Sequence, residues 1–219
     1  MKQGDGSEWE RLDASYGDEL AAIEFRVTLR DTVGGTLRLV RPGPSPGSER
    51  PDGSWRPRRL LGREFWLLAG ELPVAYLRYG DRDDPALVEI VCHEERWQLT
   101  TNRRIGWDLS LERTADHAPL GRYRGRRWRA GGTIELADGT SVTARNWPGG
   151  PWRLQARGAK PFAEVKRGVI TRSRRDEPLR VTMKSAPREI AGMHLVVLTV
   201  CGVMLLEEEA MRMSGAGGA

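Results

Sequence analysis

Three histidines and two cysteines are the classic nucleophile, base and ligand types in this chain, and arginine is abundant around them. His93, His117 and His194 stand far apart, and none is spaced with another histidine, cysteine or carboxylate as metal ligands usually are. The stretch "CHEE" at 92–95 sets Cys92, His93 and Glu94 side by side. On a strand, though, Cys92 and His93 would face opposite sides, so they make no compact nucleophile–base pair. "GDRDDP" at 80–85 gathers Asp81, Asp83 and Asp84, oxygens of the kind calcium takes, but it reads more simply as a turn between strands. There is no phosphate loop and no dinucleotide fingerprint. The expectation is no catalytic residue, no metal and no cofactor, with an enzyme of unrecognised class as an alternative.

The basic residues are the better lead. "RYRGRRWR" at 122–129 interleaves arginine with Tyr123 and Trp128, and "ITRSRR" at 170–175 adds Arg172, Arg174 and Arg175. Arg145, Arg153, Arg157, Arg180 and Lys184 fall on the polar phase of alternating segments. If neighbouring strands align, Arg153, Arg157, Arg172, Arg174, Arg175, Arg180 and Lys184 form a basic wall. Such a wall can hold anionic oxygens through bidentate guanidinium contacts. The plain alternative is that outward positions use arginine for solubility and against edge pairing. Basic residues with aromatics also bind single-stranded nucleic acid, but that needs exposed rings. Here most tryptophans alternate on the apolar side, which argues against nucleic acid. Protein partners are left open.

Charge is unevenly spread along the 219 residues, whose net charge is +5. The first 25 residues are acidic, whereas 121–184 is strongly basic. That asymmetry implies an acidic tail and a basic surface. Cys92 and Cys201 cannot form a disulfide framework or a metal site and read as buried free thiols in a reducing compartment. "MKQGDGSEWERLD" lacks the apolar core of a signal peptide, so the expected location is cytoplasmic, peripheral at the inner membrane face.

The elements that position these residues are strands. In "AIEFRVTLRD", Ile23, Phe25, Val27 and Leu29 alternate with polar residues. "GTLRLVR", "REFWLLAG", "PVAYLRYG", "ALVEIVCH", "RWQLTTN" and "GWDLSLERT" repeat that pattern, and "LGRYRGRRW" does so weakly. "GTIELADGTSVTARN" is a hairpin in which Asp138-Gly139 supplies the positive φ angles of a tight turn. "PWRLQARG", "PFAEVKRG", "VITRSRR" and "LRVTMKS" complete the series. About a dozen short strands without intervening amphipathic helices indicate an all-β barrel or sandwich. The Pro/Gly/Ser-rich stretch at 42–57 is a loop within one domain.

After Pro187 every face becomes apolar, from Ile190 to Leu206. A helix apolar all round lies in protein or in lipid. At 1.5 Å per residue it spans roughly 25 Å, short of the roughly 30 Å of a bilayer core. His194 lies in its first turns, and no tryptophan or tyrosine marks its ends. Lys184 and Arg188 before it agree with a tail anchor carrying a cytoplasmic β domain, the second alternative. The interior of a twelve-stranded barrel needs such a filling, which favours a plug. The expected organisation is an acidic flexible segment over 1–20, one mainly β, closed antiparallel barrel domain over 21–210 with a central helix at about 188–210, and a flexible tail at 211–219.

The strand series, the hairpin "IELADGTSVTARN" followed by "WRLQARG", and the helix "HLVVLTVCGVMLLEE" near the C-terminus together resemble the tubby C-terminal-like superfamily. That superfamily includes the tubby-like proteins, the LURP-one-related proteins and the phospholipid scramblases. The resemblance covers about residues 22–210. It implies about twelve antiparallel strands closed around a central helix, and a non-enzymatic binding or scaffold role at anionic phospholipid headgroups. No acidic loop matches the calcium segment of scramblases, and no particular lysine or arginine matches the phosphoinositide site of tubby proteins. Only the role of the helix is carried over.

Overall fold

A computed structural model of the chain describes residues 27–40, 64–80, 87–93, 95–101, 108–126, 129–146, 150–167 and 179–215. Within them twelve strands run in chain order: β1 (Thr36–Val40), β2 (Glu64–Ala69), β3 (Leu72–Tyr79), β4 (Val88–Cys92), β5 (Glu95–Thr101), β6 (Asp108–Arg113), β7 (Pro119–Arg126), β8 (Arg129–Leu136), β9 (Ser141–Asn146), β10 (Trp152–Ala156), β11 (Ala163–Arg167) and β12 (Leu179–Met183). Each pairs antiparallel with its chain neighbours, and β1 pairs with β12 to close the barrel. Closure removes both sheet edges.

Alternation explains the strands. Leu37 and Leu39, Phe65 and Leu67, Trp97 and Leu99, Leu109 and Leu111, Val142 and Ala144, Val181 and Met183 all point inward and are buried. The residues between them face out. The weak "LGRYRGRRW" pattern is a true strand, β7, with Tyr123 inside. The stretch "VITRSRR" lies outside the described residues.

The expected first strand is not one where it can be followed. Leu29–Thr32 forms a 3-10 turn, capped at Thr28. The Asp31 carboxylate accepts from the Thr28 amide at 3.0 Å, and the Asp31 amide donates back to the Thr28 hydroxyl at 3.3 Å. This reciprocal cap gives the backbone a local alternative to a strand ladder. Leu29 still reaches the core, so the apolar phase was correct although the backbone was not. The β8–β9 turn also differs in detail. Only Gly139 takes positive φ, at 84°, while Asp138 stays outside that region and accepts the Thr140 amide at 2.8 Å.

The C-terminal helix, α1 (Met193–Gly215), fills the barrel. It begins later than the apolar pattern implies and runs past 210. Val196, Val197, Leu198, Val200, Cys201 and Val203 have no exposed surface and share one core with the strand interiors. At Gly202 an added Cβ would stand 2.9 Å from Leu99 Cδ2, so glycine lets the helix approach β4 and β5. Thr199, the lone polar residue of that stretch, donates its hydroxyl to the Leu195 carbonyl at 2.6 Å, which satisfies it within the helix. The helix that a tail anchor would require is thus the barrel's core. No helix among the described residues is long and apolar enough to cross a membrane.

Candidate functional site

The thiols and histidines do not assemble a reactive centre. Cys92 ends β4 facing inward and donates to the Val74 carbonyl at 3.4 Å, while Cys201 is sealed in α1. Burial pushes both thiols up to about 12, far from a neutral-pH nucleophile. His93 lies beyond β4 in a left-handed turn, φ 55°, not on the strand where the alternation argument put it. His117 takes the same φ in another turn, between β6 and β7. His194 packs its ring 5.4 Å from that of Trp97, and burial holds its pKa below the ordinary value of 6.5. Among the described residues no three His, Cys, Asp or Glu side chains gather as metal ligands would.

The outward faces carry the charge, and register decides how it is arranged. Across β3–β4, Arg78 stands opposite Glu89, and their ion pair closes at 2.6 Å. On β6–β8, Arg122 is bonded to Asp108, with Nε 2.7 Å from Oδ1, and Arg124 lies 3.4 Å from Glu135. The Arg122 hydrogen bond holds the Asp108 carboxyl below its usual range. On this arc each of these arginines has a carboxylate from a neighbouring strand.

The arc from β9 to β1 differs. Lys166 of β11 stands directly opposite Arg180 of β12, which stands directly opposite Arg38 of β1. Three cations from three adjacent strands form one row on the barrel exterior. Arg145 and Arg153 face each other in the same way across β9–β10. Like charges placed directly opposite disfavour pairing. Arg38 also donates to the Gly70 carbonyl at 3.0 Å and to Glu71 at 3.2 Å, which fixes its guanidinium beside the row.

The expected wall is therefore partly assembled. Arg180 lies in the row. Arg153 and Lys184 instead converge on Glu164, at 3.2 and 2.7 Å. The Lys184 hydrogen bond, with Arg153 in support, holds the Glu164 carboxyl below its usual range. Arg157 is exposed in the turn after β10. Arg172, Arg174 and Arg175 lie outside the described residues. Arg38 and Lys166 were not singled out in the sequence. Each shows the right polar phase; the β11–β12 pairing sets Lys166 beside Arg180, and only the β1–β12 closure brings Arg38 to its other side.

Among the described tryptophans one departs from the apolar phase. Trp97 and Trp152 point inward, but Trp66 lies outside, its ring 5.0 Å from that of Tyr76 on the next strand. Compared with protein-family models, with curated proteins and with solved structures, the chain matches none.

Proposed function

We propose that the protein is a non-enzymatic binding or scaffold domain whose β11–β12–β1 face takes up anionic groups, phospholipid headgroups at the inner membrane face being the ligand class. One observation carries the reading: Lys166, Arg180 and Arg38 occupy one cross-strand row. An arginine-rich composition accounts for how many cations face outward. It does not account for three of them standing in direct register across three adjacent strands. An anionic oxygen bound across the row relieves the repulsion and gains charge-assisted hydrogen bonds. The similarity to the tubby-like barrels points to the same ligand class.

The test is co-sedimentation of the full chain with phosphatidylcholine vesicles, with and without phosphatidylserine. Binding should need the anionic lipid and weaken as salt rises. A basic residue near an anionic leaflet contributes about 1 kcal/mol, so R38Q/K166Q/R180Q should lower the affinity at least ~10-fold. R78Q, on the carboxylate-paired arc, should leave it unchanged. Binding that ignores both salt and the triple substitution would remove the proposal.

A further inference from the structure

Two buried side-chain atoms among the described residues have no hydrogen-bond partner: the indole Nε1–H of Trp152 and the amide Oδ1 of Asn146. They are not scattered. Trp152 and Asn146 are directly opposed across β9–β10, and both follow the inward phase of their strands, with Val142 and Ala144 on one side and Leu154 on the other. One offers a donor and the other an acceptor, yet they do not bond to each other.

Among the described residues the surroundings supply no replacement. Val165 stands opposite Trp152 on the β11 side. On the β8 side Gly131 runs so close that an added Cβ would stand 2.5 Å from the Ala144 carbonyl oxygen and 3.4 Å from the Asn146 backbone nitrogen. At Gly131 that strand therefore brings backbone, not a side chain, against β9. The pair lies toward the barrel end where Arg167, exposed at the end of β11, meets Glu207 of α1 at 3.1 Å.

The two atoms define what would fit. An anion would accept from the indole but be repelled by the amide oxygen. A cation would do the reverse, and an apolar group would leave both stranded. A hydroxyl accepts the indole proton and donates its own to the amide oxygen. We infer that Trp152 and Asn146 form a binding site for a neutral hydroxyl group, of a small alcohol or polyol or of water. The site lies inside the barrel wall and does not depend on the exterior cationic row.

The indole N–H of Trp152 reports on it directly. In a 1H–15N spectrum of the full chain, glycerol titration should shift that resonance saturably while the other tryptophan indoles stay in place, and N146L should abolish the response. A cross-peak from the Trp152 indole to a long-lived water, with no response to glycerol, supports the hydroxyl site with water as its source. An indole proton that responds to neither overturns the inference, and this reading needs only the unaltered protein.

Discussion

The two arcs of the barrel exterior use the same side chains in opposite ways. On β3–β8, Arg78, Arg122 and Arg124 each meet a carboxylate from an adjacent strand. On β11, β12 and β1 the registered partners are Lys166, Arg180 and Arg38, cation beside cation. Outward charge is thus not interchangeable around the barrel. Where it is neutralised locally it helps to hold the sheet, by about a few tenths of a kcal/mol per pair. Where it is stacked in a row, like charges face each other across the strands and oppose the sheet.

Both arcs rest on one support, and removing it erases the difference. Leu198 has no exposed surface in the middle of α1. L198A should cost about 2–5 kcal/mol, a large fraction of the 5–15 kcal/mol of a typical domain. L198D, which buries an unpaired carboxylate, should abolish the cooperative melt seen by circular dichroism. A helix serving only as an anchor would leave the β domain folded in either variant. A cooperative melt in L198D would therefore contradict the central-plug architecture.

This support was legible from residue types alone, because a helix flanked by strands on every side must be apolar on every side. The strands were legible for a similar reason, since period-two alternation is a local signal. What failed was either local chemistry that competes with the pattern or non-local pairing. Thr28 and Asp31 cap each other and turn the chain where Val27 and Leu29 suggested a strand. The cationic row needs β1 beside β12, strands from the two ends of the domain, and no local pattern states which arginine will face which. Arg153 and Lys184 share the polar phase of Arg180, but Glu164 lies between them and pairs with both.

The carboxylate-paired arc can be converted into a copy of the other. E89K places a lysine opposite Arg78 in direct register. It should lower stability by up to about 1 kcal/mol, through loss of an attractive pair and gain of a repulsive one. If cross-strand cation rows are what recognise anionic vesicles, E89K should also bind them a few-fold more tightly than the parent. A stability loss with no change in vesicle binding would show that cross-strand register of cations alone does not create a surface for anionic vesicles.

The smallest change acts within the basic arc. Glu164 occupies Arg153 and Lys184, and their contacts hold its carboxyl below the ordinary 4.5. The linkage follows from that direction. Above pH 4.5 the carboxylate is ionised in both folded and unfolded chains and the contacts stabilise the fold in full. As pH falls from 4.5 through the lower folded value, the unfolded chain binds the proton first and that stability is lost. E164Q removes the charge at every pH, so the acid limb of the melting-temperature profile should flatten relative to the parent. At neutral pH the same substitution releases Arg153 and Lys184 beside the row, and affinity for anionic vesicles should rise about 2–5-fold, in line with one or two additional basic groups at partial strength. Unchanged binding with a flattened acid limb would confine the anion-binding surface to Lys166, Arg180 and Arg38, because Glu164 would then serve the fold alone.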